Sequence, residues 1–151
     1  MYIVCPLGAY ETTRDVHDAA CLPGAWVAKT MNRNQWIQAD LLKPYLLTEV
    51  LTQGRQDWQA WTRSYYVSVS LDGVVWTNIT TLYTANSDRN TIVRNQLPEN
   101  TVARIIQLRP QAWRSGISLR WDVIGRDIYG KFDCKCNLGT MVDGRGCKGV
   151  T

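Results

Sequence analysis

Apolar and polar residues alternate with a period of two along much of this chain. Between Asn34 and Arg55, Trp36, Gln38 and Asp40 fall on one parity while Ile37, Ala39 and Leu41 fall on the other, which predicts a strand rather than a helix. Lys43-Pro44 interrupts the alternation, and Tyr45 to Thr52 is apolar and β-branched enough to predict a second strand, left by a turn at Gly54. Further on, Tyr65, Val67, Val69 and Leu71 share one face and Tyr66, Ser68 and Ser70 the other, with Asp72-Gly73 as the hairpin turn into Val74-Val75-Trp76. Val102 to Leu108 predicts a strand stopped by Pro110, and the last strand sets Ile117, Leu119, Trp121 and Val123 against Ser118, Arg120 and Asp122.

Between these elements lie polar or punctuated stretches. Arg55 to Trp61 reads as a loop carrying two Trp residues, and Tyr83 to Asn95 as a polar loop before the turn at Leu97-Pro98. Met1 to Gly24 has no clear period. Every clear element is a strand, and short strands at near-regular spacing predict an all-β, antiparallel sandwich or barrel.

With 151 residues, 45% of them hydrophobic, the chain can bury one real core, so one main domain is expected. Seven Trp and seven Tyr against a single Phe form a skewed aromatic set, suited to a sandwich core and also to sugar-binding or interfacial surfaces. The net charge of +4 is spread without a basic run, which removes the usual argument for nucleic acid. Arg outnumbers Lys, a bias that suits carboxylate, sulfate or phosphate contacts.

No stretch approaches the ~20 apolar residues that span a bilayer, and Met1 to Cys5 is too short to be a secretory signal. The five Cys, three of them at Cys134, Cys136 and Cys147, nevertheless suit an oxidising compartment. Together these point to a piece of a longer secreted or cell-surface chain. The alternative is a cytosolic metal site, but a C-x-C plus one further Cys, with the sole His at position 17, matches zinc spacing poorly. No metal or cofactor is therefore expected. Catalysis fails on the same inventory, because no nucleophile, base and orienting group can be assembled around His17. Asn78-Ile79-Thr80 is an N-glycosylation sequon, in keeping with an extracellular surface.

Taken in order, CPLG at Cys5 to Gly8, GAW at Gly24 to Trp26, QWIQADL at Gln35 to Leu41, TQGR at Thr52 to Arg55, WTRSYYVSVSLDGVVW at Trp61 to Trp76, NSDRNT at Asn86 to Thr91, ARIIQLRPQAW at Ala103 to Trp113 and ISLRWDVIG at Ile117 to Gly125 resemble the discoidin domain, also called the coagulation factor five/eight type C domain. These motifs cover nearly all of residues 5–126. The resemblance implies a jelly-roll β-sandwich of the galactose-binding-domain type. It also implies a non-enzymatic module whose loops at one end engage anionic phospholipid, galactose-type sugars, collagen or other matrix and cell-surface proteins.

Carried over by position, Arg55 to Trp61 is one projecting loop and Ala25 to Asn34 lies at another. Trp61 aligns with a structural aromatic, so Trp58 is the expected exposed tip, with Arg55, Asp57 and Gln59 beside it as hydrogen-bonding contacts. One Trp tip with Arg55 and Arg63 near an anionic surface gives about 5 kcal/mol, only sub-millimolar binding. A glycan or a matrix or cell-surface protein is therefore expected ahead of a phospholipid membrane. The set Arg104, Arg109, Arg114 and Arg120 offers sulfated glycans another seat, although Arg104 and Arg120 align with structural positions. A structural spacer or incomplete fragment with no ligand of its own is the remaining alternative.

Three departures from the family stand out. Ala9 to Gly24 is too short for both the early strand and the first projecting loop. The family closes Cys5 onto a Cys at the end of the last strand, where this chain has Arg126. Beyond it, residues 127–151, with Phe132 to Gly139 and Asp143 to Cys147, resemble the C-terminal half of an EGF-like module. That resemblance implies a Cys136–Cys147 bond, with Cys5–Cys134 replacing the lost closure and Cys21 left over.

Overall fold

The computed structural model describes residues 21–22, 25–128, 140–142 and 147–149. Every regular element among them is a strand, in chain order β1 (Cys21–Leu22), β2 (Ala25–Val27), β3 (Ile37–Gln53), β4 (Trp61–Ser70), β5 (Trp76–Thr84), β6 (Val93–Gln96), β7 (Val102–Arg114), β8 (Ser118–Asp127), β9 (Thr140–Val142) and β10 (Cys147–Gly149). All pairings are antiparallel. The first eight strands join in the order β1-β2-β8-β3-β7-β4-β5, with β6 also on β3, while β9 and β10 form a separate hairpin.

The long strand β3 makes this one path into two layers. Its first residues, Ile37 to Asp40, pair with Leu108 to Ile105 of β7, whereas Glu49 to Thr52 lie between β8 and β6. The two expected strands are therefore one. The Lys43-Pro44 break is a bend within it: the register on β7 slips between Asp40 and Tyr45, and Leu42 takes the left-handed conformation with φ 69°. Asp40 holds the bend by accepting the Leu42 amide at 2.8 Å.

Alternation along the strands builds the core. Tyr65 and Val67 on β4, Ile106 and Leu108 on β7, and Leu119 and Trp121 on β8 are fully buried, each large aliphatic side chain contributing about 1.5–3 kcal/mol on transfer from water. The rings of Tyr65 and Tyr83 stack at 5.6 Å. Burial pushes the Tyr65 hydroxyl far above its ordinary value, although the hydrogen bond it accepts from Asn95 Nδ2 opposes the shift.

Several boundaries differ from the expected ones. Pro110 does not stop β7, which continues to Arg114. Beyond Leu108 the neighbouring β3 makes no ladder pair, and the register on β4 shifts beside Pro110, so its missing N–H costs the sheet nothing there. Val93–Gln96 is a strand that overlaps the end of the expected polar loop, its outward residues matching its place beside β3. Ala25 to Val27 belongs to β2 and is mostly buried, which shortens the expected loop to residues 28–36. Leu71 does not continue the core face of β4 but stands exposed in a five-residue hairpin loop, residues 71–75. There Asp72 Oδ1 accepts the amides of Val74 and Val75, and Gly73 supplies φ 80°.

Cys5, His17, Cys134 and Cys136 lie outside the described residues, as does nearly all of Ala9 to Gly24. Cys147 begins β10, with its backbone opposite Val142.

Candidate functional site: the loop end

Three loops converge where β2, β3, β5 and β7 end or are left: residues 28–36, 54–60 and 85–92. In the middle one the chain must pass close to its neighbour. A Cβ on Gly54 would stand 2.5 Å from the Asp88 carbonyl oxygen and 2.9 Å from Trp61 Cβ, so only glycine fits. The loop then closes on itself, the Arg55 amide donating to the Ala60 carbonyl at 2.9 Å and the Ala60 amide to the Trp58 carbonyl at 2.8 Å.

Trp61 lies at 6% exposure as the first residue of β4, with the Arg114 guanidinium 5.3 Å from its ring centre. Trp58, three residues earlier, stands 62% exposed. It projects from the loop and does not lie buried beside Trp61. Below it Arg55 and Asp57 form a bidentate pair, Nε to Oδ1 at 2.7 Å and Nη2 to Oδ2 at 3.1 Å. The hydrogen bond from Arg55 holds the Asp57 carboxyl below the usual carboxylate range and raises Arg55 in turn. Gln59 is exposed. The four expected contact residues thus share one loop, but two of them are engaged with each other.

The loop of residues 85–92 rests on buried polar groups. Asn86 donates from Nδ2 to the carbonyls of Thr52 and Thr91, at 3.1 and 2.8 Å, and its amide donates to the Thr62 carbonyl. Asp88 caps the next turn by accepting the Asn90 and Thr91 amides and the Thr91 hydroxyl, which lower its carboxyl below the ordinary value, the hydroxyl contributing most. Residues 28–36 are anchored by Arg33 Nε on the Gln111 carbonyl at 3.1 Å, and the Ile117 amide donates to the Met31 sulfur. Met31 and Ile92 remain about half exposed at this end. Sequence reasoning missed both, because neither breaks the alternation nor belongs to a polar motif.

The Arg set does not form a patch. Arg104 pairs with Asp40 beside the β3 bend, Arg109 sits over the Tyr66 ring at 5.9 Å, and Arg114 covers Trp61. Arg120 is buried and reaches only carbonyl and amide oxygens, at Gly54, Arg89 and Asn90. The alternative of a sulfated-glycan seat on these four residues is corrected accordingly: β-pairing disperses them, Arg120 alone of the four is buried, and each has a local contact. Among the described residues, no group of three or more His, Cys, Asp or Glu side chains is placed to hold a metal ion, and no helix is long and apolar enough to cross a membrane.

The F5/8 type C domain family model matches residues 9–123. The chain belongs to the F5/8 type C domain family. It is 33% identical to a discoidin-1 polypeptide of Dictyostelium discoideum over 129 residues, 77% of this chain and 51% of that protein. It is 32% identical to mouse coagulation factor V over 114 residues, 70% of this chain but 5% of that protein. Among solved structures, Dictyostelium discoidin II superposes with a TM-score of 0.69 at 28% identity, covering 82% of this chain and 49% of that one. The chain therefore spans about half the length of its discoidin relatives and a small fraction of factor V. A CBM32 module from a Clostridium perfringens family 31 glycoside hydrolase shares the fold, with a TM-score of 0.56 at 10% identity, over 84% of this chain and 92% of that one. F5/8 type C domains are binding modules rather than catalysts, and the jelly-roll expected from the motifs is the observed fold.

Proposed function

We propose that this F5/8 type C domain is an extracellular adhesion or recognition module that binds a glycan, or a matrix or cell-surface protein, through the loop end. The observation that carries this reading is Trp58: a large indole mostly exposed at the tip of a loop that is closed by its own hydrogen bonds and braced by Arg55–Asp57. Such a pre-ordered ring loses little freedom on binding and can stack on the apolar face of a sugar. The exposed Gln59 amide and the outer edges of Arg55 and Asp57 supply donors and acceptors around it.

The same pair argues against anionic phospholipid as first choice. Arg55 is neutralised by Asp57 within its own loop, which removes one of the two cations that would draw Trp58 to a charged surface. A glycan makes no such demand. The test is retention of wild type and Trp58→Ala on glycan arrays, matrix-protein surfaces and phosphatidylserine vesicles. Loss on glycan or matrix with unchanged melting supports the reading. Full retention removes Trp58 from the site, and loss confined to vesicles replaces glycan with lipid.

The division into residues 5–126 and a partial EGF-like tail at 127–151 is part of the same proposal. It rests on the resemblance of Phe132 to Gly139 and Asp143 to Cys147 to the C-terminal half of an EGF-like module, and the family match ends before it. A disulfide map of secreted protein tests it: Cys136–Cys147 and Cys5–Cys134 bonds support a closed module, and free or scrambled thiols refute it.

A further inference from the structure

The edge strand β5 carries a feature that recognition at the loop end does not use. Asn78 of the Asn78-Ile79-Thr80 sequon is exposed as the third residue of β5, facing away from the core residue Ile79 that follows it. Its Oδ1 accepts the hydroxyl of Ser68, a buried neighbour in cross-strand register, at 2.7 Å. The Asn78 side chain thus stands on the face of the sheet opposite Val69 and Ile79, which lie on the core side.

β5 ends the strand order, so among the described residues nothing pairs with its outer edge. Nine residues long and with Leu82 half exposed, it is the kind of free edge that invites pairing with another chain unless something covers it. A hydrophilic sugar on the outward face of this strand blocks such pairing by its bulk.

We propose that Asn78 carries an N-linked glycan that covers the free edge of β5. The inference rests on the extracellular reading above. In the transfer, Asn78 Nδ2 attacks the anomeric carbon of a polyprenyl-diphosphate-linked oligosaccharide. The N–C bond forms, the bond from carbon to diphosphate oxygen breaks, the polyprenyl diphosphate leaves, and a proton from Nδ2 passes to solvent. The attachment point lies six residues before the end of β5, roughly 20 Å along the strand, so the sugar leaves the loop end open.

The full chain, translated behind a cleavable secretory leader into microsomes, tests the attachment. The expected product gains one glycan, which peptide amidase removes, and loses it in both Asn78→Gln and Thr80→Ala. Thr80→Ala keeps the Asn78–Ser68 bond, so folding and attachment are read separately. Amide exchange at 77–81 is expected to be several-fold slower in glycosylated than in Thr80→Ala protein. An unmodified Asn78 overturns the attachment, and equal exchange overturns the covering of the edge. Retention on glycan or matrix surfaces, measured on unglycosylated Thr80→Ala, reports on the loop-end reading alone.

Discussion

Arg120 and Gly54 are joined across the base of the loop end: Arg120 Nε donates to the Gly54 carbonyl at 2.8 Å, while Nη2 of the same guanidinium donates to the Arg89 carbonyl at 2.8 Å and to Asn90 Oδ1 at 3.1 Å. One buried side chain on β8 thus ties residues 54–60 to residues 85–92. Burial lowers its proton affinity below the usual arginine value, and the planar fork of three directed donors is what satisfies it.

Arg120→Gln is expected to destabilise the domain by about 2–3 kcal/mol, because carbonyls that now accept a charged donor would be left buried without one. Arg120→Lys should recover only part of this, since an ammonium cannot span three acceptors in one plane. Thermal melting gives the magnitude. Faster amide exchange in both loops, with β4 unaffected, would show that the clamp acts where the geometry places it. A loss of stability without that loop-specific change would argue against it.

The two tryptophans of the middle loop should separate in a melting experiment. Trp61→Ala empties a buried site and strips the ring from beneath Arg114, so a loss of about 3–5 kcal/mol is expected. Trp58→Ala removes an exposed ring and should leave stability within about 0.5 kcal/mol. If the two variants melt alike, the assignment of one as framework and the other as tip is wrong.

Much of this was legible in the sequence. Ile117, Leu119 and Trp121 are all fully buried, as alternation required, and the ordered motifs identified the family. Where reading failed, tertiary context overrode a local signal. Pro110 stops a strand only if its N–H is needed, and β3 offers no ladder partner there. Leu71 follows the parity of β4, but Asp72 gathers the next amides into a loop before that parity can be used. Arg120 sits on the polar parity of β8 yet is buried, because the loops carrying Gly54, Arg89 and Asn90 supply oxygens to it; Ser118, on the same parity, is buried with no hydrogen-bond partner for its hydroxyl. The loop-end exposure of Met31 and Ile92 has no periodic signature, since it depends on where three separate connections meet.

Asp40 sets an acid limit on stability. Its carboxyl is almost fully buried and receives two bonds from Arg104, at 2.8 and 2.6 Å. Its proton affinity is lowered first by that hydrogen bonding, against the opposing effect of burial. A lowered folded-state value means the contribution is complete above the ordinary aspartate pKa of about 3.9 and fades as pH falls through the lower folded value. Asp40→Asn is expected to cost about 1–2 kcal/mol at pH 7, a figure discounted because Arg104 is 40% exposed. The gap between wild type and variant in melting temperature should narrow steadily below pH 4. A gap independent of pH would mean that the variant acts through packing at the bend.

The bend beside it offers a stabilising substitution. Leu42 is 80% exposed, buries almost nothing, and is held at φ 69°, a conformation that costs a residue with a Cβ about 1–2 kcal/mol. Glycine removes that strain but adds freedom to the unfolded chain worth about 0.4–1 kcal/mol. The balance favours Leu42→Gly by up to about 1 kcal/mol, or a rise of roughly 2–4 °C in melting temperature for a domain of this size. The amide bond to Asp40 needs no side chain at position 42 and should survive. Leu42→Val, whose branched Cβ fits the left-handed region worse, should lower the melting temperature. If glycine lowers it as well, the bend is held by a contact of the leucine side chain and not by the turn in the backbone.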